Sequence, residues 1–206
     1  MTSPKKVLVC VLDWGLGHAT RCIPVIREFA SRGCHVVLAS SGDALRLLQI
    51  ELPHLDCISL PPYNPEYSKT NSLVGQIILQ LPKFRKVIDA EHKVIEKYVD
   101  QNQVDIVISD NRYGCWSSTV ESILITHQLR ILTPSAYAWA APVINWTLGR
   151  QIKKFSQVWI PDQQESGLTE VFFSKLLVQK KFIGWLSRFK GNQSPAIHYA
   201  FMAIIS

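Results

Sequence analysis

The 206-residue sequence contains no Cys-x-x-Cys pair, no apolar stretch of the roughly 18 to 20 residues that a membrane-spanning helix requires, and no Gly-Lys-Ser/Thr tripeptide. Each absence removes a class of function. The five cysteines, Cys10, Cys22, Cys34, Cys57 and Cys115, stand far apart and read as reduced, core-filling thiols, so neither a disulfide frame nor a structural metal is expected. Asp13, His127, Arg130 and Asn145 interrupt the longest apolar candidates, which leaves no span. Lys5 and Lys6 precede only six apolar residues before Asp13, too few for a secretory signal, and a cytoplasmic location is the expectation. Charged residues are sparse at 18%, against 47% hydrophobic, enough to build a substantial core. Their balance, 22 Lys plus Arg against 16 Asp plus Glu, gives a formal charge of +6 that suits anionic lipid or a phosphate-bearing substrate. Zinc-finger spacing and ribonucleoprotein aromatic motifs are missing, so nucleic acid is not expected as a partner.

What the chain does carry begins at Val7-Leu8-Val9-Cys10-Val11-Leu12, an apolar run that ends in Asp13-Trp14-Gly15-Leu16-Gly17-His18. This reads as the first strand of an open α/β sheet, and ligands in such sheets bind beyond the carboxyl ends of the strands. Gly15 and Gly17 allow a tight turn and close ligand approach, and the following helix start favours an oxyanion or phosphate. Further strands are predicted at His35–Ser40, Leu55–Leu60, Val104–Ser109, Ser122–Thr126, Gln157–Ile160 and Lys181–Gly184. Between them, helical spacing covers Pro24–Arg32, Asp43–Gln49, Leu73 to about Tyr98 with an interruption at Pro82, and Trp139–Phe155 with a break at Pro142. The alternation predicts an α/β fold: a Rossmann-like parallel sheet with helices on both faces.

Gly15-Leu16-Gly17-His18-Ala19-Thr20 starts like a dinucleotide fingerprint, but Thr20 replaces the third glycine and Ala39-Ser40-Ser41 replaces the acidic residue after the second strand. A nicotinamide or flavin cofactor is therefore not expected. His18 is the sharper candidate. The positive end of a helix disfavours imidazolium, so a histidine there suits the role of general base for a hydroxyl nucleophile, with Asp13 as a rival base. Asp110, Asn111 and Arg112 follow the fourth strand and His127 the fifth; they are candidate substrate contacts, with a salt bridge or a turn role as the alternative for Asp110 and Arg112.

Asp13-Trp14-Gly15-Leu16-Gly17-His18-Ala19-Thr20-Arg21, Ser109-Asp110-Asn111-Arg112-Tyr113-Gly114 and Ile125-Thr126-His127-Gln128-Leu129 together resemble bacterial predicted glycosyltransferases related to glycosyltransferase family 28. The resemblance spans essentially the whole chain. It implies the amino-terminal, acceptor-side half of a GT-B enzyme: inverting, metal-independent transfer of a hexosyl group from a nucleotide-sugar, a co-substrate and not a cofactor, to an acceptor hydroxyl. His18 would be the base, and Trp14, Gly15, Gly17, Arg21, Asp110, Asn111, Arg112 and His127 would face the substrates. The peptidoglycan enzyme of that family has Gly-Gly-Thr-Gly-Gly-His where this chain has residues 13–18, so only Gly17 and His18 agree. Asp13 would repel a diphosphate, and a sugar whose hydroxyls bond Asp13 while its ring stacks on Trp14 is easier to accommodate than a lipid diphosphate. Sugar-nucleotide 2-epimerases share the two-domain plan and form a further alternative.

Residues 1–187 read as this domain. Residues 188–195 have linker composition, and the apolar residues that follow, to 205, suit either the first strand of a nucleotide-sugar-binding domain or a terminal segment docked back. The donor would then be held by a second domain or subunit. Ile77, Ile78, Leu79 and Leu81 followed by Lys83, Arg85 and Lys86, and Tyr137 to Trp146 followed by Lys153 and Lys154, fit either core helices with solvated basic ends or contact with the inner face of a membrane. A non-catalytic acceptor-binding or membrane-recruiting module is the competing class.

Overall fold

The computed structural model describes residues 4–66, 80–133, 135–162 and 178–186. Seven strands form one sheet: β1 (Lys6–Val11), β2 (His35–Ser40), β3 (Asp56–Ser59), β4 (Ile106–Asp110), β5 (Glu121–Ile125), β6 (Gln157–Ile160) and β7 (Gln179–Phe182). Their spatial order is β3-β2-β1-β4-β5-β6-β7, and every pairing is parallel. This is the Rossmann-like sheet that the alternation of strand and helix patterns predicts. Side chains alternate along each strand, so β1 sends Val7, Val9 and Val11 to one face and Leu8 and Cys10 to the other. The first face is covered by α1 (Leu16–Ser31) and α2 (Gly42–Glu51), through Cys22, Ile23, Ile26, Phe29 and Leu48. The second is covered by α3 (Leu81–Asn102), through Ile95 and Val99, and by α4 (Ala141–Ile152), through Leu148 and Ile152. Burial on both faces is why the inner strands read as largely apolar runs, whereas the edge strands β3 and β7 are only partly buried.

The helix boundaries depart from expectation at each proline. α1 begins at Leu16, eight residues before Pro24, which lies inside it with Ile23, Val25 and Ile26 fully buried on either side. An interior proline costs a helix about 3 kcal/mol, and the apolar packing of this helix offsets it. Pro82 and Pro142 stand in the first turns of α3 and α4, where a missing N–H costs nothing, so they start helices where a break was expected. A 3₁₀ turn (Ser135–Ala140) takes the place of the expected start of α4. The part of the third predicted helix before residue 80, the end of the predicted first domain and the predicted linker lie outside the described residues. All five cysteines are free thiols. No described helix is long and apolar enough to cross a membrane.

β4 lies beside β1, while β2 and β3 lie on the far side of β1, so the chain winds outward in opposite directions from the β1–β4 pair. That switch point opens a crevice at the carboxyl ends of the two strands. The turn leaving β4 packs tightly against α3 at Gly114, where a Cβ would stand 2.2 Å from the carbonyl oxygen of Ile88 and 2.8 Å from the Glu91 side chain. Gly114→Ala should therefore destabilise the fold by about 1–3 kcal/mol. Thermal denaturation should register this as a fall of roughly 2–4 °C per kcal/mol, whereas an unchanged midpoint would contradict the packing.

Candidate active site at the carboxyl end of the sheet

The turn that joins β1 to α1 depends on Gly15, which occupies the cap position at φ 92° and ψ 162°, a conformation that side chains rarely adopt. It sets Leu16, Gly17 and His18 as the first three residues of α1. Strand register puts Asp110 opposite Val11 on one side and Ile125 on the other, at the rim of the crevice. The two meet: His18 Nδ1 lies 2.7 Å from Asp110 Oδ2. Arg21, one turn further along α1, donates from Nε to Asp110 Oδ1 at 2.8 Å and from Nη2 to the same oxygen. The Asp110 carboxylate is closed off from solvent, whereas the His18 and Arg21 side chains keep 18% and 17% exposure. An ionised carboxylate can only accept, so at this contact His18 Nδ1 is the donor, and in a neutral imidazole Nε2 would then keep a lone pair.

His127 stands at the same rim, at the surface. Desolvation lowers its pKa, and the positive charge of Arg21 lowers it further. Four expected site residues, His18, Arg21, Asp110 and His127, thus share one electrostatic neighbourhood.

Arg112 and Asp13 do not join them. Arg112, expected at the crevice, is wholly buried, and its guanidinium is spent on internal partners. It donates to the carbonyl oxygens of Val11 at 2.7 Å and Pro61 at 3.1 Å, to Ser41 Oγ at 2.6 Å and to Glu91 Oε1. The salt-bridge alternative is the one the structure adopts for this side chain. Asp13 is drawn into the same network: Ser41 Oγ donates to Oδ2 at 2.7 Å, the Tyr63 N–H donates at 3.2 Å, and Arg112 Nη2 lies 3.2 Å from Oδ1 without hydrogen-bond alignment. A carboxylate only 6% exposed and held by these partners is poorly placed to act as a base. Trp14 packs edge-on against Phe84, with centroids 5.5 Å apart, in a small cluster with Leu12 and Tyr63. Asn111 takes a left-handed conformation at φ 53°, and no described group hydrogen-bonds its buried Oδ1. Gly17 has open space where a Cβ would stand.

Glu91 and Tyr63 escaped the sequence reading. Glu91 falls on the buried stripe of α3, at Phe84, Ile88, Glu91, Ile95 and Val99, and a carboxylate at such spacing demands a buried cation. Burial raises its pKa to about 7 against the opposing pull of Arg112 and the Tyr63 hydroxyl, which donates to Oε2 at 3.0 Å. A cleft of about 290 Å³ opens on the β2 side of the glycine turn, lined by Asp13, Gly15, Leu16, Asp43, Arg46, Asn64 and Pro65. Among the described residues no group of three His, Cys, Asp or Glu side chains is arranged to hold a metal ion.

Two outcomes follow from these networks. Arg112→Met, which strands the buried Glu91 and Asp13 carboxylates, should cost about 3–5 kcal/mol in denaturant unfolding; a loss under 1 kcal/mol would contradict the hub. Because the folded-state pKa of Glu91 is raised, its contribution to stability is complete below its unfolded value and is lost as pH rises through about 7. The melting temperature of the wild type relative to Glu91→Gln should accordingly fall between about pH 5 and 8, and a flat or rising difference would contradict the assignment.

No protein-family model matches the chain, and no curated protein sequence does. Solved structures do. The glycotransferase of kitacinnamycin superposes with a TM-score of 0.59 at 14% identity, over 95% of this chain and 56% of that one. Arabidopsis thaliana UGT89C1 complexed with quercetin gives 0.57 at 17% identity, over 98% and 55%. Acinetobacter baumannii MurG gives 0.53 at 13% identity, over 86% and 45%. The chain spans about half the length of these structures, and its fold is that of one half of a GT-B glycosyltransferase.

Proposed function

We propose that the chain is the acceptor-side half of an inverting GT-B glycosyltransferase, with His18 as the general base. The observation that carries this reading is the contact of 2.7 Å between His18 Nδ1 and a carboxylate shut off from water. Asp110 fixes the tautomer and the ring, and Nε2 is left to accept the proton of an acceptor hydroxyl. As the hydroxyl oxygen forms its bond to the anomeric carbon, the bond from that carbon to the nucleoside diphosphate breaks. The diphosphate leaves with the electron pair, and the proton ends on His18 as an imidazolium that Asp110 stabilises. Because attack and departure take place on opposite faces, the configuration inverts, and the step calls on no metal.

The cleft beside Gly15 is the candidate acceptor pocket. With Asp43, Arg46 and Asn64 on its walls, it fits a hydroxyl-rich acceptor, a sugar or the head of a lipid-linked sugar. Trp14 is packed against Phe84 and does not line this cleft, so the sugar would rest on Leu16 and Pro65. Nucleotide-sugar would be held by a second domain or subunit. The superposed structures are about twice as long as this chain, which supports this, and a neighbour in complex with UDP-L-rhamnose supports a nucleotide-sugar as the donor. The reaction would run in the cytoplasm, at the inner face of the membrane when the acceptor is lipid-linked.

A second reading, a non-catalytic module that recruits its partners to a membrane, is favoured by one surface. Trp139, Val143 and Trp146 are 78%, 65% and 62% exposed along one side of the 3₁₀ turn and α4, with Arg150, Lys153 and Lys154 beyond them. Flotation with anionic and zwitterionic vesicles tests it: anionic-selective binding lost in Trp139→Ser/Trp146→Ser would support recruitment, and equal behaviour would remove it.

The catalytic reading is tested by supplying a donor-binding half and following sugar transfer from UDP-, GDP- and dTDP-sugars. His18→Ala and Asp110→Asn should each lower the rate by about 10²–10⁴-fold; a His18→Ala variant at full rate would overturn the assignment. The 206-residue chain alone should show no thermal stabilisation by these donors. Stabilisation at low micromolar concentration would place a donor site on this half.

A further inference from the structure

Asp110 has two oxygens and two kinds of partner. Oδ2 meets His18, while Oδ1 receives both N–H groups of an Arg21 fork. We infer that Arg21 is a positioning residue that keeps His18 able to accept a proton, by supplying the permanent positive charge that the buried Asp110 carboxylate would otherwise draw from the imidazole. The inference rests on the reading of His18 as the base and extends it to a residue that acts through Asp110.

The argument is one of charge balance. A carboxylate with no solvent exposure is costly, and a cation within hydrogen-bond reach compensates it most fully. Two candidates are within reach, Arg21 and a protonated His18. If Arg21 supplies the charge, the group of three is balanced with a neutral imidazole, and Nε2 is free. If Arg21 is absent, balance is restored only by adding a proton to the pair of His18 and Asp110. An imidazolium has no lone pair to offer, and a protonated Asp110 no longer demands the Nδ1–H tautomer. Both outcomes disable the base without removing it.

Among the described residues, Arg21 is the permanent cation that meets Asp110. Cys22 on α1, Tyr113 after β4 and His127 after β5 lie within electrostatic reach of Asp110, and Asp162 after β6 acts on His127. Cys22 and Tyr113 are held in their neutral forms by burial, and His127 has its pKa lowered, so none of the three brings a cation. Arg21 is also the leading charge that lowers the His127 pKa. The spacing of His18 and Arg21, three residues apart on one helix, presents both to the same carboxylate.

The test uses the 206-residue chain at rest, without donor or acceptor. The ring of His18 is assigned in ¹⁵N and ¹³C NMR spectra by comparison with His18→Gln. At about pH 7 the wild type should show one protonated nitrogen, Nδ1, and one bare nitrogen. Arg21→Gln should show either both ring nitrogens protonated or a mixture of tautomers, while Arg21→Lys, which keeps the charge, should restore the wild-type pattern. An Arg21→Gln spectrum with Nδ1 alone protonated would overturn the inference. So would an Arg21→Lys spectrum that differs from wild type, which also decides the matter should Arg21→Gln fail to fold. A role confined to stability would change the melting temperature and leave the ring pattern of the folded protein intact. Because no transfer is measured, failure here leaves His18 and Asp110 standing, and failure of transfer leaves this result standing.

Discussion

A single carboxylate, Asp110, placed beyond the reach of water at the end of a central strand, sets the terms for the rim around it. Its strand lies between β1 and β5 at the point where the winding reverses, so the crevice of the sheet opens over it. A buried negative charge has to be matched, and α1 matches it by presenting His18 and Arg21 from successive turns. The start of that helix is fixed in turn by Gly15, whose positive φ directs the chain from strand to helix within a few residues. Gly15 therefore acts at a distance: it aims an imidazole by deciding where a helix begins.

Two residues after Asp110 the logic is repeated with the opposite sign. Arg112 is buried on the other side of the turn and ties together the ends of β1 and β2, the loop after β3 and the middle of α3 through Val11, Ser41, Pro61 and Glu91. Between the two lies Asn111 in a left-handed conformation, which lets consecutive side chains part toward opposite sides. The Asp-Asn-Arg segment thus divides its charges, one for the exposed rim and one for the interior beneath the glycine turn. The Arg112 network also draws in Asp13, whose carboxylate accepts from Ser41 and the Tyr63 N–H and lies against Arg112.

Much of the fold could be read from local pattern, because the five inner strands, β2, β1, β4, β5 and β6, are buried on both faces and most announce themselves as apolar runs. Prolines misled for a physical reason: the same residue breaks a helix in its interior and starts one in its first turn, and spacing alone does not say which. Gly15 and His18 were legible because a glycine turn after a first strand has one geometric use. The burial of Arg112 was not, since it depends on partners 21 to 101 positions away in sequence. Glu91 left a trace, a carboxylate on an apolar helical stripe, which identifies a buried ion pair without naming the partner. The pairing of His18 with Asp110, across 92 positions, required the sheet order itself.

The central claim is that this crevice deprotonates an acceptor hydroxyl for direct displacement at an anomeric carbon. Its most direct test is the stereochemistry of the product. With a donor-binding half present, the anomeric proton of the transferred sugar should be followed by NMR from an α-linked nucleotide-sugar into product. The account predicts a β-linked product whose formation depends on His18. An α-linked product would mean that attack does not come from the face opposite the leaving group, and would contradict His18 as the base of a single displacement.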